Sequence, residues 1–234
     1  MISKMLNKTN SSDYTNFKGH ELFIAQMKDQ FNLVKHHRQC VLTSFLTLSQ
    51  QEILLKIKPK DIYVTLISGY DAGLRKIACI SDIEGEYESD VIILKSDYDS
   101  RFKSLQHKDL LGAIMHLGIE REMIGDLLVD DHALYILCKE SIGEYLIDSL
   151  YSIGRCSVAF SRIDRFTYNK PQTEEIKVNC ASLRVDAIVA QLAHTSRSGA
   201  MELIRQGFVK VNDIVLEENT VLCYKDIVSI RRAG

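Results

Sequence analysis

Apolar residues in the first part of the chain recur at the spacing of helices. From Phe17 onward they fall on steps of three and four residues, which predicts a helix with one apolar face. A second helix is predicted over residues 39–46. A third is predicted to follow the N-cap residue Ser49, with Glu52 three positions later, and to end before Pro59. The residues of the first apolar face are Leu22, Phe23, Met27, Phe31 and Val34.

The pattern then changes to the alternation that is typical of strands. Apolar residues alternate over 62–66 and return over 74–80, and the turn residues Gly69-Tyr70-Asp71 lie between the two runs. This arrangement predicts a β-hairpin. We assign residues 1–84 to an N-terminal domain of helices and a hairpin, because the acidic, glycine-containing segment 84–90 is typical of a loop.

Residues 85–166 show a β-α-β-β-α-β order, which predicts a central domain with the ferredoxin-like fold of RNA-recognition (RRM-like) domains. Such a sheet exposes one face, where RNA-recognition domains place aromatic residues. The predicted strands offer Tyr135 and Phe160 but no paired aromatic signature, so ordinary core packing explains these two residues better. The predicted strands cover 91–94, 126–129, 133–138 and 157–163, and the predicted helices cover 107–117 and 141–151.

A polar segment with one proline, residues 167–181, predicts a linker to a third domain, residues 182–234. Ser182 and Ser196 are predicted to cap two helices, and Gly207 to end the second in the left-handed conformation. Three short strands follow, so the whole chain is predicted to belong to the α+β class. The helices are placed at 182–193 and 197–206, and the strands at 208–211, 214–215 and 227–231.

Composition and charge restrict the function without defining it. Of 234 residues, 46% are hydrophobic and 26% are charged, as in an ordinary globular protein. The net charge of −2 argues against a general polyanion binder, so RNA binding would require a local basic face. No apolar run approaches the roughly 18 residues of a membrane span, and the polar first residues do not predict a secretory signal. The expected location is cytoplasmic.

The cysteines and the missing motifs predict neither a metal site nor a cofactor. The cysteines are scattered without a C-x-x-C pair, so we expect reduced, mostly buried thiols and no zinc site. The chain has no Gly-rich cofactor loop, P-loop, G-x-S-x-G or H-E-x-x-H motif, so no catalytic residue is predicted. The six cysteines are Cys40, Cys79, Cys138, Cys156, Cys180 and Cys223.

The last fifty or so residues resemble the RNA-binding domain of ribosomal small-subunit protein S-four. The resemblance is specific because several fixed spacings agree at once. Asp213 stands where that family usually has glycine, but Asn and Asp both tolerate positive φ, so we expect the turn to form. The matching segments are R-V-D at 184–186, S-R-S-x-A at 196–200, L-I-x-x-G at 203–207, V-x-V-N at 209–212 and D-I-V-S-I at 226–230.

This resemblance implies non-catalytic binding of structured RNA, and the chemistry of the second predicted helix agrees. A helix N-terminus offers free N–H groups and a positive dipole end, which suit a phosphate. Residues 196–198 add two hydroxyls and a guanidinium there. Asp186 is expected to hold Arg184 or to cap local backbone, rather than to perform chemistry. The candidate RNA-binding residues are Arg184, Ser196, Arg197, Ser198, Arg205, Lys210, Asn212, Arg231 and Arg232.

Segments upstream resemble YlmH-type RNA-binding proteins, in which a helical region, an RRM-like domain and an S-four-type domain follow one another. The resemblance implies a bacterial cytoplasmic protein that binds rRNA and tRNA on the large ribosomal subunit with peptidyl-tRNA, in ribosome-associated quality control. Members of that family often carry a "cell division" label, because their genes often lie beside cell-division genes. The resemblance implies neither a membrane nor a small-molecule substrate. The family's basic R-G-x-G-R end is shortened here to R-R-A-G. The matching segments are S-G-Y-D-A-G-L-R-K at 68–76, H-K-D-L-L-G-A-I-M-H-L-G-I-E-R-E-M-I-G-D at 107–126 and I-G-R-C-S-V at 153–158.

Two alternatives compete with simple RNA binding. S-four-type domains are often attached to pseudouridine synthases and methyltransferases, so the chain could be an RNA-modifying enzyme or its RNA-targeting subunit. The R-V-D at 184–186 resembles a synthase's catalytic R-L-D, but its place in a predicted helix makes that interpretation poor. A protein–protein scaffold is the second alternative, and salt dependence separates it from RNA binding, which weakens steeply with salt.

Overall fold

The computed structural model describes residues 19–99, 105–164, 175–216, 218–222 and 226–231. Contacts within the chain form two compact units, one of residues 27–171 and the other of residues 1–26 with 172–234. Helices and antiparallel sheets occur together, so the predicted α+β class is confirmed. Among these residues, no helix combines the length and the apolar character needed to cross a membrane. Cys223 and Arg232 lie outside the described residues.

The first helix, α1 (Glu21–His37), carries most of the predicted apolar face. Four of the five predicted residues are buried, and Val34 is fully so. Leu22 is the exception, with 83% of its surface exposed. Starting from Phe23, the buried positions follow steps of four, four and three residues, and Leu22 is displaced from that stripe by one residue, about 100° around the helix.

The predicted helix over 39–46 is wrong, because this segment joins a sheet. Strand β1 (Val41–Leu42) precedes β2 (Tyr63–Ile67) and β3 (Ile77–Ser81), and the three form an antiparallel sheet in the order β1-β3-β2. Strand β1 is only two residues long, and its pairing partner lies more than thirty residues later in the chain. Local periodicity carries no signal of such a contact.

The same pairing explains a second correction, since Cys40 and Cys79 are not separate thiols. Leu42 of β1 lies opposite Cys79 of β3, so Cys40 is close to that strand and the two cysteine Cα atoms are 6.3 Å apart. That separation permits a disulfide, and the two sulfurs are bonded. Cys138, Cys156 and Cys180 are free thiols, as expected.

Helix α2 (Leu48–Ile57) is capped by Thr47 and not by Ser49. The Thr47 side chain accepts the N–H of Gln50, and the Gln50 side chain accepts the N–H of Thr47. This reciprocal pair is a capping box, which places the start of the helix two residues earlier than predicted. Ser49 is buried within the first turn.

Within residues 84–164 the chain forms a four-stranded antiparallel sheet in the order β5-β6-β4-β9. A small hairpin of β7 and β8 was not predicted, because each strand has two residues and Gly154 turns between them with φ +61°. The predicted strand 157–163 is therefore too long at its start. The elements are β4 (Val91–Asp97), α3 (His107–His116), β5 (Ile124–Val129), β6 (Ala133–Lys139), α4 (Gly143–Ser149), β7 (Ser152–Ile153), β8 (Cys156–Ser157) and β9 (Ser161–Ile163).

One face of this sheet forms the main core of the unit. Alternate residues of β4 and β6 pack against apolar residues of α3, α4 and the β7–β8 hairpin. Most of these side chains are fully buried, so the helices and the hairpin are fixed on this face. The cluster includes Ile92, Leu94, Leu134, Ile136, Cys138, Leu110, Ile114, Leu146 and Ile153.

The opposite face of the sheet is covered at its centre, in contrast to the exposed face expected from the element order. The loop between β2 and β3 lies on it so closely that a Cβ at Gly69 would be 2.5 Å from Leu137 Cδ2. As a result Leu137 is 1% exposed and Ile93 is 5% exposed. Asp126 of β5 fixes this loop, because its carboxylate accepts the N–H groups of Leu74 at 2.6 Å and Arg75 at 3.1 Å.

The C-terminal part contains α5 (Val185–Leu192), α6 (Arg197–Arg205), β10 (Val209–Val211), β11 (Ile214–Val215) and β12 (Val228–Ile230), with sheet order β11-β10-β12. We call these elements the C-terminal module. Small apolar residues of both helices pack on β10 to form its core, which is made of Val185, Val189, Ala190, Ala200, Ile204 and Val209.

Four local predictions concern the C-terminal module. Ser182 does not cap α5, because residues 183–185 pair with residues 220–222 through backbone hydrogen bonds, and the helix begins at Val185 with Arg184 as its N-cap. Ser196 is the N-cap of α6, as predicted. Gly207 ends that helix with φ +72°, and residues 212–213 form the predicted turn with φ of +51° and +67°.

Phe45, which follows β1, packs on Gly125 of β5, and substitutions can test this contact. A Cβ at Gly125 would lie 2.6 Å from Phe45 Cε1. Both residues are buried, so we expect Gly125→Ala to lower the free energy of unfolding by about 1–3 kcal/mol in urea titrations. In a Phe45→Leu background the same substitution should cost clearly less, because the ring edge is gone. An equal cost in both backgrounds would contradict this account of the contact.

Candidate nucleic-acid interface

The N-terminus of α6 is open to solvent and partly capped by its own residues. Ser196 Oγ accepts the N–H of Gly199 at 3.1 Å and lies 2.8 Å from Ser198 Oγ. Across the described part of the chain, no acceptor is paired with the N–H groups of Arg197 and Ser198. Because one of the two hydroxyls donates to the other, two backbone N–H groups and one hydroxyl proton are available to an anion at the positive end of the helix dipole.

The carboxylate of Asp186 contacts two arginine side chains at this helix end. Its side chain is buried, and its carboxylate lies 3.1 Å from Arg184 Nε and 3.2 Å from a terminal nitrogen of Arg197. The expected Arg184–Asp186 pair is thus confirmed, and Arg197 shares the same carboxylate. The two arginine side chains are 52% and 62% exposed, so the guanidinium groups face solvent. Two cations and one carboxylate leave one net positive charge.

The ionisation of Asp186 follows from these contacts. The hydrogen bond from Arg184 is the largest cause that lowers the pKa of Asp186, and hydrogen bonds from Asn219 and Arg197 add to it. Together they outweigh the desolvation of the carboxyl group and hold its pKa at about 2. The carboxylate is therefore fully ionised at neutral pH and can position both guanidinium groups.

The other cationic candidates lie apart from this cluster. Arg205 is eight residues after Arg197, about 12 Å along α6, and its guanidinium is 4.0 Å from Glu202. Lys210 on β10 and Arg231 after β12 are exposed. The structure thus brings Arg184 and residues 196–198 together but not all nine candidates, and Arg232 lies outside the described residues.

Asn212 is occupied within the module. Its side-chain N–H group donates to Asp226 at 2.8 Å, and its side-chain oxygen accepts the N–H of Ile227 at 3.0 Å. Its main-chain oxygen lies 3.0 Å from the ring Nε2 of His20. This residue therefore ties the β10–β11 turn to the segment before β12 and to residue 20.

Sequence reasoning missed Asn219 and His20 as supports of the site. Asn219 accepts the N–H of Asp186 over 33 residues, and His20 reaches Asn212 over 192 residues. Neither contact has a local motif, so no signal in the sequence pattern could have revealed them. Within the described ranges, no group of three or more His, Cys, Asp and Glu side chains is placed to hold a metal ion.

Comparison with known proteins identifies the family of the chain. Residues 84–166 match the family model described as "Putative RNA-binding domain in YlmH". The Ribosome-associated protein quality control protein P2 of Bacillus subtilis (strain 168) is 30% identical over 234 aligned positions, which cover 96% of this chain and 90% of that protein. The chain therefore belongs to the YlmH family.

A solved structure of another protein has a similar fold. The structure described as "Cell division protein ylmH from Streptococcus pneumoniae" superposes with a TM-score of 0.53 and 20% identity. The match covers 67% of this chain and 94% of that one. At this identity the likeness supports the fold and carries no statement about function.

The shared carboxylate predicts how the Asp186 pKa responds to its neighbours. We expect Arg184→Ala to raise the pKa from about 2 toward 3.8, and Arg197→Ala to raise it less, in a carboxyl-carbon NMR titration. The distant Arg205→Ala should leave it unchanged. Because the folded-state pKa is lowered, the carboxylate stabilises the fold above about pH 4, and that stabilisation is lost as pH falls through about 2. An unchanged pKa in Arg184→Ala would refute the shared-carboxylate arrangement.

Proposed function

We propose that the chain binds structured rRNA and tRNA without catalysing a reaction, and that the C-terminal module, an S-four-type RNA-binding domain, is the docking element. The observation that carries the proposal is the open N-terminus of α6, where two unpaired backbone N–H groups and the Ser196–Ser198 hydroxyl pair lie beside two exposed guanidinium groups. Each of these groups donates hydrogen bonds, and a phosphate or ribose oxygen accepts them.

Asp186 makes this arrangement suitable for a backbone phosphate. Holding two arginines on one carboxylate restricts their side chains before RNA arrives, which reduces the entropy lost on binding. Since the carboxylate is buried and the guanidinium groups are not, an approaching phosphate meets positive charge first. A guanidinium can donate to carboxylate and phosphate at once, because it has five N–H donors.

The remaining candidates extend the proposed contact rather than form its centre. Arg205, Lys210 and Arg231 are exposed and would meet more distant phosphates. Arg232 would add to them at the end of the chain. Asn212 would act by positioning the β10–β11 turn, because both ends of its side-chain amide are engaged within the module.

The relatives favour a ribosomal setting for this activity. One is named a ribosome-associated quality control protein, and the matching family model is described as an RNA-binding domain. Neither name is that of an enzyme. We therefore propose that this chain acts in the cytoplasm on the large ribosomal subunit with peptidyl-tRNA, in ribosome-associated quality control. We further propose that its central sheet forms an RRM-like domain.

Charge reversal at Arg197 tests the docking element. We expect Arg197→Glu to lower the affinity for purified large ribosomal subunits by more than about tenfold in co-sedimentation, because the new carboxylate repels phosphate at the helix end. Lys60→Glu is the matched control, since it changes the net charge equally at an exposed position outside the module.

Two further readouts complete the experiment. Arg197→Ala should reduce the slope of log affinity against log salt by about 1, as expected for one lost phosphate contact. Thermal unfolding should show that Arg197→Glu remains folded. If folded Arg197→Glu co-sediments as well as Lys60→Glu does, the module is not the docking element.

A further inference from the structure

A groove in the central domain is separate from the docking element of the C-terminal module. It lies between α3 and the β7–β8 hairpin and has a volume of about 500 Å³, which is in the range of small-ligand sites. All the residues that line it fall within 84–166, the part of the chain that matches the RNA-binding family model. Lys108, Gly112 and His116 line one wall, and Tyr151 lies on the other side.

The wall formed by α3 is shaped by a glycine that the fold itself does not require. Lys108, Gly112 and His116 follow one another at steps of four residues, so they form one stripe along the helix. Glycine is unfavourable within a helix, yet a Cβ at Gly112 would meet nothing within 4 Å. Packing therefore gives no reason for this glycine, whereas a ligand that approaches the helix backbone closely would give one.

The other side of the groove presents an aromatic ring on a fixed backbone. Tyr151 is 74% exposed, although it directly follows the buried Leu150. Its main-chain oxygen accepts the N–H of Val158 at 3.0 Å, which holds the residue at the base of the β7–β8 hairpin. An exposed ring on a fixed backbone next to a cleft can stack on a planar group, and only its own side-chain torsions have to be ordered on binding.

The charges around the groove fit a nucleotide rather than a free anion. Lys108 supplies one cation at the exposed edge. Asp109 is the one carboxylate in the lining, and it accepts the N–H of Gln106 at 2.9 Å as part of the α3 capping box. The groove therefore offers a ring for stacking at Tyr151 and close approach to the helix backbone at Gly112. Lys108 adds a single contact for a phosphate.

The usual RNA platform of such a domain is not available in this chain. RRM-like domains stack bases on the open face of the sheet. Here the loop that contains Gly69 covers that face at Leu137, and Ile93 beside it is also buried. The groove, by contrast, combines an exposed ring, a cation and a helix wall that carries no side chain at Gly112.

We propose that the groove between α3 and the β7–β8 hairpin binds a nucleotide of single-stranded RNA. The base stacks on Tyr151 and lies against the α3 wall at Gly112, and Lys108 contacts the backbone phosphate. This inference rests on the proposed function only in that the chain contacts RNA; it assigns a second site, independent of the α6 N-terminus.

The test measures binding of fluorescein-labelled oligoadenylate to the full chain by fluorescence anisotropy. Each groove variant is measured alone and in an Arg197→Glu background, which removes the contribution of the module. We expect Tyr151→Ala and the groove-filling Gly112→Leu each to lower affinity by about tenfold in both backgrounds, the effect of losing one stacked base. Tyr151→Phe should keep the affinity, because it keeps the ring. Tyr63→Ala, which removes an exposed tyrosine outside the groove, is the matched control.

Two readouts separate a binding role from a structural one. Gly112→Ala should raise the melting temperature by about 2–4 °C, because alanine favours the helix and meets open space. Lys108→Met should reduce the slope of log affinity against log salt by about 0.7, while Tyr151→Ala should leave that slope unchanged. A lower melting temperature for Gly112→Ala would show that packing requires the glycine and would count against the inference.

The outcomes also distinguish this inference from the proposed function. In one outcome Tyr151→Ala and Gly112→Leu bind oligoadenylate normally, while Arg197→Glu no longer binds large subunits. The groove is then not an RNA site, and a protein partner becomes its candidate occupant. If Arg197→Glu also binds large subunits normally, both proposals fail. Loss in the groove variants with normal subunit binding by Arg197→Glu supports the groove and refutes the module as the docking element.

Discussion

The C-terminal module depends on one buried carboxylate shared by two exposed guanidinium groups. Asp186 lies in the first turn of α5 and pairs with Arg197 in the first turn of α6, so a single ionised group links the starts of both helices. Its low pKa keeps that link intact at physiological pH. The proposed RNA contact is therefore a consequence of the packing of the module, because the residues that orient the arginines also hold the two helices together.

A second carboxylate has the corresponding role in the other compact unit. Asp126 holds the β2–β3 loop against the central sheet, and this loop contains one of the segments that resemble YlmH-type proteins. The β2–β3 loop thereby covers the centre of the sheet face that an RRM-like domain would otherwise expose. The loop and the sheet thus form one structure, and we propose that the groove between α3 and the β7–β8 hairpin binds RNA instead of this face.

Local patterns predicted the elements whose stabilising contacts are local. Helix α3 and strand β6 agree with the prediction to within one residue. Ser196 caps α6 by accepting the N–H of Gly199, three residues later in the chain. Strand β1 and the β7–β8 hairpin were missed, because two-residue strands have no period. In the site, the Arg184–Asp186 pair spans two residues and was expected. Arg197–Asp186 spans eleven residues, and it emerged only once both helices were placed.

The central claim is that nucleic-acid backbone docks at the N-terminus of α6, and amide NMR of the labelled full chain tests it most directly. On titration with a large-subunit rRNA hairpin, the account predicts that the largest shifts occur at the backbone amides of Arg197 and Ser198. Those shifts should disappear when excess salt releases the RNA. Saturable binding that shifts amides elsewhere, and leaves these two unchanged, would contradict the account.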